Sequence, residues 1–236
     1  MPLLENIAKV KKNIAAAARS AGRDPDEVTL VAATKVQSSD TIRAAIAAGI
    51  TVCGENRVQE LTAHLADYAY DGARVHFIGH LQTNKVKYVV GRVDLIESVD
   101  SEELIRLIDK RAQNLGIVQD ILIEVNIGGE ASKSGVKPEE VEALVALAAS
   151  LPGVEPRGLM AIPPVAQEPG ANRAVFAAMR QLFIDIKGKT YNNKVNIDCL
   201  SMGMSGDFED AIAEGATQVR VGTALFGARP ANRVNG

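Results

Sequence analysis

The chain has 236 residues, of which 47% are hydrophobic and 23% are charged, and its formal net charge at pH 7 is −3. This composition is typical of a globular protein with a substantial core, and the net charge gives no general attraction to nucleic acid or to anionic lipid. The absence of tryptophan and the aromatic content of 4% also argue against stacking platforms for single-stranded nucleic acid.

The cysteines and the first residues of the chain indicate the cellular compartment. Cys53 and Cys199 lie in apolar runs far apart in the sequence, as expected of buried thiols in a reducing environment. Residues 3–12 mix charges with apolar residues and lack the apolar core of a signal peptide, and no stretch approaches the length of a membrane span. We therefore expect a cytoplasmic protein.

Short apolar runs alternate with helical patterns along the chain. The first helix is predicted over residues 3–18, where apolar residues recur at helical spacing, and Gly22 ends it. Strands are predicted at 28–34, 51–53, 74–78, 94–98, 119–126, 154–161, 195–201 and 217–221. Helices are predicted near 40–48, 58–68, 85–90, 101–115, 138–150, 172–186 and 207–213, with a short apolar turn at 224–226.

Eight strands that alternate with helices over about 210 residues favour a closed parallel (β/α)8 TIM barrel with an added N-terminal helix. An open doubly wound sheet is the alternative. Because no repeat, low-complexity tract or linker divides the sequence, we expect residues 1–236 to form a single domain.

Lys35 is the most informative residue, because it follows directly on the β-branched, apolar run of the first predicted strand. Side chains alternate along a strand, so Lys35 would share a face with Val31 and Ala33. Apolar neighbours disfavour the charged form of an amine, which lowers its pKa and leaves it able to attack a carbonyl. The position therefore predicts a lysine that forms a Schiff base.

Two glycine-containing segments predict an anion site. In a barrel of this kind, the loops after strands seven and eight often hold a phosphate, and here they carry residues 201–206 and 221–223. Glycine lets backbone amides approach an anion, and Ser205 and Thr223 add hydroxyl donors. Ser205 could instead cap a helix, and Gly222 could form a plain turn. Their joint occurrence at the two expected places favours phosphate.

Arg220 lies two residues before Gly222 on the last strand. If it points inward, it needs a partner such as a ring nitrogen or an anion, because a buried unpaired guanidinium is very costly. The alternative is an outward side chain paired with Glu214. A Schiff-base lysine, a phosphate cradle and an arginine that faces a ring nitrogen together suggest pyridoxal phosphate.

Other polar residues give weaker signals. His64, His76 and His80 are scattered and lack an adjacent cysteine or carboxylate pattern, which argues against a metal site. Asn56 and Asn126 stand at the ends of predicted strands, where an amide could reach a ligand hydroxyl or cap the next loop.

Seven segments in order along the chain carry a family resemblance: VAATK (31–35), GENRVQE (54–60), HFIGHLQTNK (76–85), EVNIGGEASKSG (124–135), GLMAI (158–162), LSMGMSGDFEDAI (200–212) and VRVGTALFG (219–227). Through these segments the sequence resembles the pyridoxal phosphate homeostasis protein family, whose members have a barrel similar to that of alanine racemase. The resemblance covers nearly the whole chain and departs from the family pattern at Arg57, where Tyr is frequent.

The resemblance implies a role for each site residue. Lys35 would hold pyridoxal phosphate as a Schiff base, Arg220 would face the pyridine nitrogen, and Asn56 would lie near the ring hydroxyl. The other residues implied are Ser205 with the amides of Gly222 and Thr223 at the phosphate, and Met160 and Met204 in the pocket lining. Such a protein would buffer pyridoxal phosphate or deliver it to apo-enzymes, as a monomer or weak dimer with no catalytic activity of its own.

Two enzyme readings are the alternatives. An amino-acid racemase resembling this barrel would add a β domain that supplies a tyrosine as second base, and we expect that domain to be absent because the chain ends soon after Phe226. An arginine at the ring nitrogen is also a poor proton source, which weakens the ring as an electron sink. A Schiff-base aldolase would need an acid or base pair near the first strand, and the sequence places none there convincingly.

Overall fold

Eight parallel strands close into one barrel in a computed structural model of the chain, and each strand pairs with its neighbours in sequence order, β8 closing on β1. The structure describes residues 2–129, 134–164, 168, 170–189 and 195–227. The strands are β1 Thr29–Ala33, β2 Val52–Glu55, β3 Arg74–Phe77, β4 Leu95–Val99, β5 Gln119–Val125, β6 Val154–Ala161, β7 Cys199–Ser201 and β8 Gln218–Val221. The closed barrel is confirmed, and the open doubly wound sheet is wrong.

Helices follow the strands around the outside of the barrel. They are α1 Pro2–Ser20, α2 Ser39–Ala47, α3 Val58–Ala66, α4 Glu102–Leu115, α5 Val141–Ser150, α6 Arg173–Lys187, α7 Phe208–Ala213 and α8 Thr223–Phe226. Shorter 3-10 turns occupy Pro25–Glu27, Thr83–Tyr88 and Pro138–Glu140. The helix predicted near 85–90 is therefore a 3-10 turn, and the one predicted at 138–150 begins with another. None of the described helices is long and apolar enough to cross a membrane.

The predicted N-terminal helix is present and supports the last part of the barrel. Its buried residues Ile7, Val10, Ile14 and Ala18 form one face, as the helical spacing indicates. That face packs against α7 and α8, and the Asn6 side chain donates to the carbonyl of Leu225 at 3.0 Å. Helix α1 therefore braces the two helices that follow the last two strands.

Strand β7 is shorter than predicted. The sequence pattern suggested a strand from residue 195, yet the ladder begins at Cys199. Before it, Asn196 donates to the Asp198 carboxylate at 2.7 Å, and Arg157 donates to the same carboxylate at 2.6 Å. These polar side-chain bonds hold the segment before the strand, and pairing with β6 starts only at Cys199 although Val195 and Ile197 are also apolar.

Of the segment 124–135 that carries part of the family resemblance, residues 130–133 lie outside the described residues.

Gly158 sets how closely β6 and β7 approach. It has φ +153°, and a Cβ placed there would lie 1.8 Å from the carbonyl oxygen of Cys199. Because that neighbour is backbone of the paired strand, no side-chain rotation could relieve the clash. This position therefore accepts only glycine without separating the two strands.

Gly158→Ala is expected to lower the free energy of unfolding by at least about 2 kcal/mol, from overpacking together with an unfavourable φ. Urea titration followed by circular dichroism measures it. Gly188→Ala is the matched control, because a Cβ there would make only ordinary contacts of 3.4 Å or more. Equal stability of the two variants would contradict the prediction.

Candidate functional site

A cavity of about 390 Å³ opens at the carboxyl end of the barrel, a volume within the usual range for small-molecule sites. It brings together nearly all the predicted site residues, which come from the ends of β1 and β2 and from the segments after β7 and β8. The lining consists of Ala33, Lys35, Asn56, Ile78, Ile162, Met204, Ser205, Gly206, Arg220, Gly222 and Thr223.

Met160 is the predicted site residue that does not line this cavity. Its side chain is fully buried in the barrel interior, where it packs with Leu95, Leu122 and Cys199. Ile162, which the sequence analysis missed, lines the cavity instead and is 39% exposed. Alternate residues of a strand point to the same face, so Ile162, two residues after Met160 and nearer the carboxyl end of the barrel, could have been predicted to line the cavity. Asn126 likewise is not among the lining residues.

Lys35 lies in a tight turn directly after β1. The turn is closed by a hydrogen bond from the Gln37 amide to the Thr34 carbonyl at 3.0 Å, and Lys35 itself is half-buried. Val36 has φ +60°, a left-handed conformation that is unfavourable for a β-branched residue. The amine is therefore presented from a strained turn.

Ser205 joins the two segments of the predicted anion site. Its Oγ accepts hydrogen bonds from the amides of Gly222 and Ala224, both at 3.2 Å, so its own hydrogen is available to another acceptor. Ser205 is therefore not a cap for α7, which the sequence left open. The next residue is Gly206, where an added Cβ would meet no atom within 4 Å. The segment thus combines a hydroxyl donor with open space.

The segment that carries Ser205 is fixed by hydrogen bonds to the buried carboxylate of Asp207. The amide of Met204 donates to one oxygen of Asp207 at 2.7 Å, and the side chain of Asn172 donates to the other at 2.8 Å. Both Asn172 and Asp207 are buried. This bracing fixes the backbone that presents the hydroxyl of Ser205 to the cavity.

Arg220 points into the barrel and is only 5% exposed, so the outward alternative paired with Glu214 is wrong. One terminal nitrogen donates to Ser201 Oγ at 2.6 Å and the other to the Ala161 carbonyl at 2.8 Å. Ser201 in turn donates to Glu97 at 2.6 Å, and Glu97 lies 3.9 Å from Arg220. A buried carboxylate therefore balances the guanidinium through a shared hydroxyl.

Glu97 is the centre of this internal network, and the sequence analysis missed it. Its other oxygen lies 2.8 Å from His76 Nδ1 and accepts from Gln218 at 2.6 Å. Burial raises the pKa of Glu97, but the hydrogen bond and charge of His76 and the charge of Arg220 together lower it below the ordinary value. His76 thus has the structural role that scattered histidines usually have.

A second buried carboxyl group lies on the neighbouring strand. Burial and the charge of Asp100 raise the pKa of Glu124 to about 7, while the charge of Arg220 opposes this shift. Near neutral pH, Glu124 is therefore partly protonated, which limits the negative charge placed around Arg220.

Asn56 contributes an unsatisfied polar atom. Its side-chain oxygen Oδ1 is buried and has no hydrogen-bond partner among the described residues. Buried oxygens of this kind are rare in folded proteins and call for an explanation, of which a partner supplied by a ligand is one. Since Asn56 lines the cavity, a ligand there could supply that partner.

Other cavities have comparable volumes but different chemistry. One of about 330 Å³ lies at the opposite, amino end of the barrel, where Arg157 pairs with Asp120 and Asp198. Another of about 640 Å³ lies between α1 and α7 on the outer surface. Neither contains a predicted site residue, and within the described part of the chain no group of side chains is arranged to hold a metal ion.

Comparison with known proteins agrees with this geometry. Residues 6–230 match the family described as alanine racemase, N-terminal domain. The chain is similar to the pyridoxal phosphate homeostasis protein of Aquifex aeolicus, with 45% identity over 97% of this chain and 99% of the relative. The corresponding protein of Pseudomonas aeruginosa is 43% identical over 96% of each chain.

The chain is also similar to a solved protein structure. PipY of Synechococcus elongatus, with PLP bound, superposes with a TM-score of 0.82 at 34% identity, covering 95% of this chain and 100% of that one. Identity at this level over almost the full length of each relative, together with the shared barrel, establishes membership. The chain belongs to the pyridoxal phosphate homeostasis protein family.

Proposed function

We propose that this protein binds pyridoxal phosphate in the cavity at the carboxyl end of the barrel, as a Schiff base on Lys35, and buffers or delivers it within the cell. The observation that supports this most directly is the composition of the cavity lining. One lining combines an amine, a hydroxyl beside an open glycine, a buried guanidinium and an unsatisfied amide oxygen. These four groups complement the aldehyde, phosphate, ring nitrogen and ring hydroxyl of pyridoxal phosphate.

Each residue has a separate task in this proposal. Lys35 bonds through its amine nitrogen to the aldehyde carbon, and the aldehyde oxygen leaves as water. Ser205 donates its hydroxyl hydrogen to the phosphate, next to the amides of Gly222 and Thr223. Arg220 faces the ring nitrogen, Asn56 accepts from the ring hydroxyl, and Met204 covers the ring. When bound, the ring supplies an electron sink for amino-acid chemistry.

The same lining favours a carrier over a racemase or an aldolase. Among the described residues that line the cavity, only Lys35 and Arg220 are ionisable. Arg220 is held by Ser201 and Ala161 and stays protonated, so it cannot serve as a second base. The proposal therefore includes no catalytic activity. It includes apo-enzymes that need pyridoxal phosphate as recipients, and a single domain that acts as a monomer or weak dimer.

Replacing the amine tests the covalent attachment. Lys35→Ala is expected to abolish the visible absorbance band that forms with pyridoxal phosphate and to prevent borohydride from fixing the ligand to the chain. The fold should persist, because Lys35 is half-buried and contributes little core packing. Lys12→Ala, an exposed lysine of α1, is the control. A band that survives in the Lys35 variant would refute the assignment.

Removing the hydroxyl tests the phosphate end. Ser205→Ala is expected to weaken the binding free energy of pyridoxal phosphate by roughly 1.5–3 kcal/mol, which is about a ten- to hundredfold loss of affinity. The reason is that the substitution deletes a hydrogen bond to a charged group. Unphosphorylated pyridoxal should bind the variant and the parent equally. Ser150→Ala, where the hydroxyl bonds only a helix carbonyl, is the matched control. Titration followed by absorbance measures both ligands, and an equal loss for both would contradict the phosphate role.

The function itself is tested with two assays. The loaded protein should restore activity to an apo-transaminase, while alanine, serine and glutamate incubated with it should show negligible racemisation beside a true racemase. Chiral chromatography measures the amino acids, and coupled transaminase activity measures transfer. Robust racemisation that disappears in Lys35→Ala would favour the enzyme reading instead.

A further inference from the structure

The turn that carries Lys35 is held in a conformation that its own sequence disfavours. Val36 has φ +60°, although a β-branched side chain rarely adopts the left-handed region, and its side chain is 50% exposed. Burial of the valine therefore does not compensate for the unfavourable backbone. A contact elsewhere must keep the turn in place.

The contact that does so comes from Glu60. Its Oε2 accepts a hydrogen bond from the Val36 amide at 2.9 Å, and Glu60 lies in the first turn of α3, on the adjacent β2–α3 unit. A charge-assisted bond to a backbone amide is among the stronger hydrogen bonds in proteins. Arg57 approaches the other oxygen of Glu60 at 3.4 Å.

The residues on either side of Lys35 are anchored as well. Thr34 donates its hydroxyl to the fully buried Glu55 at 2.6 Å, and Tyr70 donates to the same oxygen at 2.8 Å. On the far side, His64 Nε2 lies 3.1 Å from the Gln37 carbonyl. The backbone is thus fixed before and after Lys35, and Glu60 holds the strained residue between these anchors.

These contacts explain the segment 54–60 beyond Asn56. Glu55, Asn56 and Glu60 belong to one continuous stretch, in which Asn56 lines the cavity and the two carboxylates hold the turn of Lys35. The ordinary alternative for Glu60 is an acidic residue that favours the helix dipole of α3. That role would contribute to stability and would leave the chemistry at Lys35 unchanged.

We propose that Glu60 is a positioning residue, which keeps the Lys35 amine aimed at the cavity by holding the Val36 amide in the strained turn. The inference rests on the proposed function, since it concerns formation of the bond between the Lys35 nitrogen and the aldehyde carbon, with loss of water. Misplacing one reacting group by about 1 Å can slow a reaction about a hundredfold. Glu60 therefore governs the covalent step and contributes little to binding of the phosphate or the ring.

The test separates covalent from non-covalent binding. Glu60→Ala is compared with the parent in the rate at which the visible band forms with pyridoxal phosphate, by stopped-flow absorbance. Calorimetry measures binding of pyridoxine 5′-phosphate, which has a hydroxymethyl group in place of the aldehyde. We expect the rate to fall about ten- to a hundredfold, and the affinity for pyridoxine 5′-phosphate to stay within about twofold.

Two variants of the same turn sharpen the comparison. Glu60→Gln keeps an oxygen acceptor for the Val36 amide without the charge, and should recover most of the rate. In a Val36→Gly chain the turn is no longer strained, because glycine adopts positive φ readily. In that background Glu60→Ala should slow formation of the visible band much less. Comparison of the parent, the two single variants and the double variant measures the coupling between Glu60 and Val36. Glu27→Ala, which removes an exposed pair with Arg23 at the other end of β1, is the control.

The outcomes distinguish this inference from the proposed function. If the parent protein forms no visible band with pyridoxal phosphate, the proposed function and this inference both fail. If the parent forms the band and Glu60→Ala forms it at the same rate, this inference alone is overturned. Equal losses for both ligands, or additive effects of the two substitutions, would assign Glu60 a merely structural role. The less strained Val36→Gly background keeps the question answerable if Glu60→Ala alone does not fold.

Discussion

A guanidinium inside an apolar barrel must be compensated by its neighbours, and the organisation of this site follows from how Arg220 is compensated. Ser201 and the Ala161 carbonyl accept its hydrogen bonds, and Glu97 supplies the opposite charge through Ser201. Because removing one partner of such a buried group leaves an uncompensated charge, these residues act as a unit. The network also holds the guanidinium at the floor of the cavity, where the proposed function places the ring nitrogen. The contacts that compensate the buried charge therefore also fix the position of the group that we propose faces the ligand.

The site divides into a rigid floor and a presented rim. The floor is Arg220 together with the Glu97 network beneath it, whose side chains belong to the strands and are buried in the barrel. The rim consists of turns, and a carboxylate fixes two of them: Asp207 accepts from the amide of Met204, and Glu60 accepts from the amide of Val36. In both cases a backbone amide near a ligand-facing side chain is fixed by a residue that does not itself line the cavity. Such second-layer support is what keeps reacting groups within a fraction of an ångström of a productive position.

Local patterns predicted the barrel and most of the cavity, since alternation of apolar runs and helical stretches is legible over short windows. Lys35, Ser205 and Arg220 were found because their position relative to a strand end carries chemical meaning in this fold. The partners of those residues were not found. Glu97 bonds Gln218 and Ser201 across more than a hundred residues of sequence, and no local pattern records such a pairing.

Met160 was placed in the cavity lining by resemblance, whereas the structure places its side chain one layer deeper in the barrel and Ile162 at the cavity wall. The late start of strand β7, at Cys199 instead of residue 195, likewise involves Arg157, a residue of another strand that bonds Asp198.

Gly158 connects the architecture of the barrel to the electrostatics of the cavity. Its contact with Cys199 fixes the spacing of β6 and β7, and two residues further along the same pair of strands Met160 lies opposite Ser201. The two acceptors of Arg220, Ser201 on β7 and the Ala161 carbonyl on β6, therefore stand apart by a distance that a residue without a side chain sets. A guanidinium spans a fixed width between its terminal nitrogens. The absence of a side chain at position 158 therefore affects the spacing of the two Arg220 acceptors as well as the packing of the two strands.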